Sequence, residues 1–279
     1  MKPAFSYYGG KQTMAPKIIP LIPDHTLYVE PFCGGAGLFF KKQVIKDNNY
    51  QEVINDINSN VINFFKVLRD NPQLLMDKLA FSPYSFEDYQ QAKKIYFDPN
   101  PYNEFERAWA FFVSCEQAFA NKIGGGWGIS RMMTNQVSQW RNKIDNLFVC
   151  VDRLKLAYIE NNDVLKCIKK WDSPQTLFYL DPPYPGTNCG HYSGYTQENF
   201  DELLYALKNC QASFLLSCYP NDAVPKKWEK FEFAKQCTVN MKSKNKERVE
   251  VVWRVDRSKN IEKTILKHAK EFGKILRGE

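Results

Sequence analysis

The chain lacks any long apolar run, although 44% of its 279 residues are hydrophobic. No segment reaches the roughly 20 consecutive apolar residues that a membrane helix requires. Histidine is scarce, with 3 residues, and the 8 cysteines are scattered without a C-x-x-C spacing, so no metal site is expected. The start of the chain also lacks the apolar stretch of a signal peptide. Together with reduced thiols, this predicts a cytoplasmic protein with no membrane partner.

Two common nucleotide-binding signatures are missing as well. There is neither the G-x-G-x-x-G of hydride-transfer enzymes nor the G-K-[ST] of phosphate loops. The glycine-rich segment that is present, Val29 to Gly37, follows an apolar run and precedes a helical pattern beginning at Leu38. Glycines at such a turn let the backbone approach a cofactor, and the helix start offers free N–H groups. The segment predicts a cofactor site, which from this evidence alone a nucleotide or dinucleotide could equally occupy.

A second strand-like run, Glu52 to Asp56, ends in an acid about 20 residues after the glycine turn, where related folds place the carboxylate that binds ribose hydroxyls. This spacing fits an adenosine-containing cofactor without a phosphate cradle. The alternative is that Asp56 caps the helix that begins near Asn58, since Asp is a favourable N-cap residue.

The sequence Asp181-Pro182-Pro183-Tyr184 follows a buried strand pattern, Thr176 to Leu180. Asp181 is therefore expected at the carboxyl end of a strand, where open α/β sheets bind ligands. Its carboxylate and the carbonyl of Pro182 can each accept a hydrogen from a nucleobase amine, which aims the nitrogen lone pair at a methyl donor. The alternative is an ordinary solvated turn.

The two prolines fix the backbone without N–H donors, and Tyr184 offers a ring face for stacking. A base inside a duplex is out of reach of such a pocket, so the tetrapeptide predicts the capture of a flipped nucleotide, with adenine favoured.

Four segments occur in the order found in the Dam-like (D12 class) S-adenosylmethionine-dependent DNA adenine-N6 methyltransferases, which the chain resembles. They are Tyr7 to Lys11, Glu30 to Gly37, Asn55 to Asn58 and Asp181 to Tyr184. The resemblance covers roughly residues 5 to 70 and 150 to 255, and four ordered motifs are more specific than one. It implies an α/β fold: a Rossmann-like methyltransferase sheet with a mostly helical target-recognition insertion. The catalytic domain would comprise residues 1–60 and 150–279, and the DNA-binding insertion residues 61–149.

The resemblance also implies roles for individual residues. Tyr7 and Lys11 would line the methionine side of the cofactor, and Asp56 would bind its ribose. Asp163 would lie near its adenine, although Asn162 and Asp163 could instead cap the following helix. The implied catalytic residues are Asp181, Pro182, Pro183 and Tyr184. The implied cofactor-binding residues are Tyr7, Lys11, Pro31, Phe32, Gly34, Gly35, Gly37, Asp56, Asp163 and Asp181.

Basic residues indicate a polyanionic partner, which the resemblance implies is double-stranded DNA. Residues 226–279 hold 16 Lys and Arg against 8 Asp and Glu. Lys244 and Lys246 lie in a polar stretch between two strand-like runs and are predicted to contact DNA. The alternative is a solvated hairpin tip.

Within the helical region, the loop from 121 to 131 is both basic and aromatic. Lys122 and Arg131 are predicted to contact phosphate or a guanine edge, and Trp127 to wedge or stack against bases. The alternative is that Trp127 pins the loop to the helices, because buried tryptophan anchors are common.

The predicted activity is therefore methyl transfer from S-adenosylmethionine to adenine N6 in duplex DNA, without a metal ion. Methylation of cytosine N4, of RNA or of a protein amide remains an alternative, as does a DNA-binding module without catalysis. A cognate restriction endonuclease is left open as a partner.

Overall fold

The computed structural model describes residues 1–7, 9–129, 135–184, 194–237 and 246–258. The strands are β1 Leu27–Glu30, β2 Gln51–Asn55, β3 Tyr158–Glu160, β4 Thr176–Leu180, β5 Ser213–Cys218, β6 Glu229–Cys237 and β7 Lys246–Val255. The helices are α1 Ala15–Ile18, α2 Gly37–Lys41, α3 Ser59–Asp70, α4 Pro72–Ala80, α5 Phe86–Phe97, α6 Glu104–Glu116, α7 Gln136–Leu154, α8 Val164–Trp171 and α9 Gln197–Asn209.

The strands form one seven-stranded sheet in the order β3-β2-β1-β4-β5-β7-β6. Strands β1 to β5 run parallel, and β7 runs antiparallel between β5 and β6. The sheet grows outward in one direction from β1 through β2 to β3, and in the other from β4 onward. The carboxyl ends of β1 and β4 therefore flank the topological switch point, where sheets of this kind bind their ligands. The order confirms the predicted Rossmann-like α/β fold.

Consecutive strand residues point to opposite faces of the sheet, and at the central strands β1 and β4 both faces are buried. Tyr28 and Tyr179 pack into a core shared with helices α2 to α7, whereas Val29 and Phe178 pack into a second core shared with α8 and α9. All five residues of β4 are buried. A strand buried on both faces has no polar side to show, which is why Thr176 to Leu180 reads as an almost continuous apolar run.

The helical region lies between β2 and β3, as the sequence predicted. Its helices α3 to α7 share the first core with the sheet, so that Phe64 and Phe111 pack against Phe5 of the N-terminal segment. The structure does not test the proposed domain boundaries at residues 61 and 149. Helix α6 begins at a capping box, in which Asn103 and Glu106 each bond the other's backbone N–H. It ends at Glu116, before a short 3₁₀ turn over Phe119–Asn121.

Within the described ranges, no helix is both long enough and apolar enough to cross a bilayer. Among the same residues, no group of three or more His, Cys, Asp or Glu could hold a metal ion. The described free cysteines, which are all buried, are Cys33, Cys115, Cys150, Cys167, Cys210 and Cys218.

Candidate active site

The glycine turn joins β1 to α2 and lies against the N-terminal segment. Gly34 has φ +45°, and a Cβ there would come within 3.0 Å of a ring carbon of Tyr7. A Cβ on Gly35 would lie 3.1 Å from Tyr7 Cβ, and one on Gly37 would lie 3.3 Å from the backbone nitrogen of Gln12. Side chains at these positions would push the N-terminal segment away, so the glycines allow the turn and that segment to meet.

A cavity of about 140 Å³ opens at the carboxyl ends of β1 and β4. Most of the predicted catalytic and cofactor-binding residues meet in its wall. Those residues are Tyr7, Lys11, Phe32, Gly34, Gly35, Gly37, Asp181, Pro182, Pro183 and Tyr184. Glu30, Tyr179 and Tyr219 also line it, and the sequence had not singled them out.

A second cavity, of about 240 Å³, adjoins the first, because Phe32 and Pro183 line both. Pro31 and Asp163, two further residues of the predicted cofactor set, lie in its wall. Asp163 is the N-cap of α8, where its carboxylate accepts the backbone N–H of Leu165 at 2.9 Å. The alternative that Asp163 caps the following helix is therefore correct. Asp163 also lies in the cavity wall, and its contact with the cofactor stays a prediction.

Asp56 lies behind the glycine turn and is only 1% exposed. Its Oδ2 accepts the backbone N–H of Gly34 at 2.8 Å, and its Oδ1 accepts that of Asn58 at 2.9 Å. Helix α3 is capped by Asn58, whose side chain accepts the N–H of Asn60, so the alternative that Asp56 is the cap is wrong. Asp56 is not in the described lining of either cavity, and its contact with a ribose stays a prediction.

Lys11 is the centre of the polar contacts in the first cavity. Its Nζ lies 2.8 Å from Asp181 Oδ1 and 2.9 Å from Glu250 Oε1. It also donates to the hydroxyl of Tyr184 at 2.9 Å. An ammonium group has three donors, and here three acceptors surround it.

The hydroxyl of Tyr184 stands between the same two carboxylates. It is 3.1 Å from Asp181 Oδ1 and 3.3 Å from Glu250 Oε1, and its single hydrogen can go to either. Ser217 Oγ donates to the same Glu250 oxygen at 3.1 Å. The ring of Tyr184 meets that of Tyr219 edge to face, with centroids 4.5 Å apart.

Burial and charge shift the ionisation of this cluster. Burial raises the pKa of Asp181, and Lys11 opposes the rise, so that the net pKa lies above the ordinary value of an aspartate. Burial alone would lower the pKa of Lys11, but the carboxylates of Asp181 and Glu250 outweigh it and raise that pKa. Glu30 is a separate case: burial raises its pKa to about 7, although the hydroxyl of Tyr28 donates to it at 2.7 Å.

Of the predicted DNA-contacting residues, Lys122 and Trp127 are described in full, and neither is in the wall of the two cavities. Lys122 is exposed, and nearby Phe119 is 68% exposed on the 3₁₀ turn. Ala120 and Asn121 have φ 53° and 54°, a left-handed backbone that non-glycine residues seldom adopt. Arg131 and Lys244 lie outside the described residues, as does the side chain of Lys246, whose backbone begins β7.

Trp127 packs on the helical region. Its ring centroid lies 5.5 Å from that of Tyr84 and 5.9 Å from that of Phe86. Its Nε1 donates to Gln117 Oε1 at 3.4 Å, and its backbone bridges to Ala118. These contacts agree with the alternative that Trp127 holds the loop to the helices, and contact with bases stays a prediction.

Glu250 is the most consequential residue that sequence reasoning missed. It is 4% exposed and lies in β7 between the apolar residues Val249 and Val251. A carboxylate inside an apolar strand must find a cation or donors, so this pattern was the available signal. Its partner could not be read from the sequence, because Lys11 lies near the other end of the chain.

The family model and the curated relatives that match this chain are all methyltransferases. The family model described as D12 class N6 adenine-specific DNA methyltransferase matches residues 7–252. The Type II methyltransferase M1.LlaDCHI of Lactococcus lactis subsp. cremoris is 27% identical over 233 residues, covering 75% of this chain and 76% of that protein. The DNA N-6-adenine-methyltransferase of Escherichia phage P1 is 30% identical over 219 residues, covering 70% of this chain but 26% of that protein.

A third relative is the Type II methyltransferase M.MjaIII of Methanocaldococcus jannaschii, 22% identical over 227 residues, covering 72% of this chain and 76% of that protein. Among solved structures, the rRNA methyltransferase aviRa from Streptomyces viridochromogenes covers 88% of this chain, and 84% of its own chain is covered, at 11% identity and a TM-score of 0.36. That score is too low to bear on the fold, which is assigned from the strand order of this chain.

Proposed function

The chain belongs to the D12 class N6 adenine-specific DNA methyltransferases, and we propose that it transfers a methyl group from S-adenosylmethionine to N6 of an adenine flipped out of duplex DNA. The observation that carries this proposal is the position of Asp181. Its carboxylate stands at the carboxyl end of β4, at the switch point, and shares one cavity with the glycine turn after β1.

The residues around the two adjoining cavities suit the cofactor that this family implies. Gly34, Gly35 and Gly37 present backbone without side chains at the wall of the first cavity, and Phe32 continues the wall into the second. Tyr7 would close the methionine side, while Pro31 and Asp163 would face the adenosine side. When bound, S-adenosylmethionine supplies an already activated methyl group, so the protein's part is to bring the acceptor into line.

The prediction that Lys11 lines the methionine side of the cofactor stays a prediction, and the contacts of Lys11 support a further role at the catalytic motif. The three donors of Lys11 are directed at Asp181, Glu250 and Tyr184. Contact with a cofactor carboxylate would require it to give up one of these partners. Lys11 would therefore hold the acid of the catalytic motif as well as line the cofactor cavity.

Asp181 and the backbone carbonyl of Pro182 would accept the two hydrogens of the target amine. Both prolines of the motif are buried, and their rings fix φ, which holds the carbonyl of Pro182 in place. Neither proline has a backbone N–H that could compete with the target amine for this carbonyl. Accepting both hydrogens draws the nitrogen lone pair out of conjugation with the ring. The proton that the methylated nitrogen loses would leave to solvent or through Asp181.

Tyr184 and Tyr219 would form the wall against which the flipped base stacks. Lys122 and the exposed ring of Phe119 lie on a loop suited to contact the duplex. Contacts from Trp127, Arg131, Lys244 and Lys246 stay predictions, as do a cognate restriction endonuclease and a cytoplasmic location.

The test is transfer of labelled methyl from S-adenosylmethionine to unmethylated duplex DNA, followed by digestion to nucleosides and mapping of the modified positions. N6-methyladenine within a short fixed sequence is the expected product. Asp181→Ala should lower the transfer rate by about 100-fold or more, because an acceptor for the amine is lost. Its cofactor affinity, measured by calorimetry, should change little.

Asp222→Ala serves as the control, since Asp222 is exposed in the turn after β5. Equal rates in Asp181→Ala and the unaltered protein would refute the mechanism. Label found in cytosine, RNA or protein would mean that the substrate is not adenine in DNA. Cofactor binding without transfer to any acceptor would favour a DNA-binding module.

A further inference from the structure

Glu250 makes three contacts through one oxygen. Its Oε1 lies 2.9 Å from Lys11 Nζ, 3.1 Å from Ser217 Oγ and 3.3 Å from the hydroxyl of Tyr184. The residue is only 4% exposed, and a carboxylate buried to this extent is costly unless charge and hydrogen bonds compensate it. Strand β7 therefore delivers a second acid to the catalytic motif of β4.

Asp181 and Glu250 compete for the same two donors. Lys11 is at nearly equal distance from them, 2.8 Å from one and 2.9 Å from the other. The hydroxyl of Tyr184 is also shared, at 3.1 Å and 3.3 Å. Without Glu250, both donors would turn wholly to Asp181. A carboxylate that is fully matched by a cation and a hydroxyl is a weaker acceptor for a third donor, such as the target amine.

The charges of the cluster also do not cancel. One ammonium stands between two carboxylates, which leaves one negative charge in a site of low exposure. Among the described residues, Tyr179, Tyr184 and Cys218 are close to Asp181, and burial raises the pKa of each, so they stay neutral near pH 7. Glu30 lies in the wall of the same cavity, and burial raises its pKa to about 7, so it adds negative charge only as the pH rises through that value. As the new N–C bond forms and the S–C bond breaks, the amine nitrogen gains a positive charge before its proton leaves. A fixed negative charge beside it lowers the free energy of that state.

We propose that Glu250 is a positioning residue of the methyl-transfer site, which shares Lys11 and Tyr184 with Asp181 and so preserves both the acceptor capacity of Asp181 and the negative charge of the cluster. Glu250 acts through Lys11 and Tyr184 rather than on the base itself. This inference rests on the proposed function, because it gives Asp181 the role of amine acceptor.

The decisive variant is Glu250→Gln, which keeps the shape and removes the charge. Glu250→Asp keeps the charge on a shorter side chain. Glu232→Gln is the matched control, because Glu232 lies on the neighbouring strand β6, is 56% exposed and pairs only with Lys230 among the contacts described. Single-turnover methyl transfer would be measured against pH, together with S-adenosylmethionine affinity by calorimetry and thermal unfolding.

Glu250→Gln should slow transfer by about 10- to 100-fold, with cofactor affinity nearly unchanged. Its acid limb should move to lower pH, because Asp181 loses a repelling neighbour and gains the whole of Lys11, both of which lower its pKa. Glu250→Asp should keep the acid limb in place, and Glu232→Gln should match the unaltered protein. A wild-type rate in Glu250→Gln, or a slower rate with no displacement of the acid limb, would overturn the proposal.

A second readout needs no methyl acceptor. The pKa of the Asp181 carboxyl, followed by carbon-13 NMR in selectively labelled protein, should be lower in Glu250→Gln than in the unaltered protein. If Glu250→Gln folds poorly, the comparison is made in the Lys11→Met background, where both acids have lost their cation. Adding Glu250→Gln there removes the charge of one of them and should again lower the pKa of Asp181. An unchanged Asp181 pKa refutes the inference, whereas absence of methyl transfer by the unaltered protein refutes the proposed function.

Discussion

Glu30 is a carboxyl whose charge changes close to neutral pH. It lines the first cavity, and burial raises its pKa to about 7, against the opposing hydrogen bond from Tyr28. Because this folded-state pKa exceeds the ordinary value of about 4.3 for a glutamate, charging Glu30 costs the unliganded protein stability as the pH rises between the two. Once Glu30 has lost its proton, its negative charge favours the binding of a cation in the cavity.

A pH-dependent affinity should follow, because S-adenosylmethionine carries a sulfonium and an ammonium group. We expect its binding to tighten between about pH 6 and about pH 8, as Glu30 loses its proton. Calorimetric titration across this range is the measurement. Glu30→Gln should bind with little pH dependence, while the exposed Glu104→Gln on α6 should behave as the unaltered protein does. The same pH slope in Glu30→Gln and the unaltered protein would show that another group is responsible.

At the scale of elements, helices α4 and α6 each have an asparagine at the N-cap position. Asn103 caps α6, where its side chain accepts the backbone N–H of Glu106 at 2.9 Å. Asn71 occupies the same position at α4 but makes no capping hydrogen bond through its side chain. The two residues therefore share a position and differ in the bond.

Asn103→Ala should lower the free energy of unfolding by about 1 kcal/mol, whereas Asn71→Ala should change it by only a few tenths of a kcal/mol. Urea unfolding of both variants makes the comparison. Methyl transfer well below the transition should be normal in each, since neither Asn103 nor Asn71 is in the wall of the two cavities. Equal destabilisation would mean that the alanine at an N-cap matters more than the lost bond.

Elements with a strong local pattern were predictable from the sequence. The apolar run before Asp181 is β4, and the helical periodicity from Val61 to Leu68 falls within α3. The choice between a cap and a ligand was harder for Asp56. The helix is capped two residues later by Asn58, and the Asp56 carboxylate binds Gly34, which comes from a different strand connection. A local rule cannot anticipate a donor that only the assembled sheet brings near.

Across the whole molecule, Ser6 ties the N-terminal segment to the helical region. Its backbone N–H donates to Glu116 Oε1 at 2.5 Å, and its carbonyl accepts from Cys115 Sγ at 2.7 Å. Lys143 of α7 donates to Ser6 Oγ at 2.6 Å and pairs with Glu116. Burial raises the pKa of Glu116, and Lys143 opposes that rise. The residue next to Tyr7 in the sequence is therefore held by α6 and α7.

Lys143→Ala should destabilise the protein by about 1 to 3 kcal/mol, because it leaves the buried Glu116 carboxylate without its cation. The pKa of Glu116 is already raised and should rise further, so the loss should be larger at pH 8 than near pH 5, where the carboxyl is protonated for more of the time. Denaturant unfolding at both pH values tests this. Lys155→Ala, at an exposed pair with Asp152 at the end of the same helix, should cost less than about 0.5 kcal/mol. A loss independent of pH would assign the effect of Lys143 to packing.

The cluster around Lys11 has a consequence for biosynthesis. Lys11 precedes Tyr184 by 173 residues along the chain, and Glu250 lies in β7, which is the last described strand in chain order. A nascent chain that has already made the glycine turn and the catalytic motif still lacks the acid that shares Lys11 with Asp181. The growing polypeptide would thus become fully active in DNA methylation only when β7 pairs with β5. Translation products that end before β7 would therefore stay largely inactive.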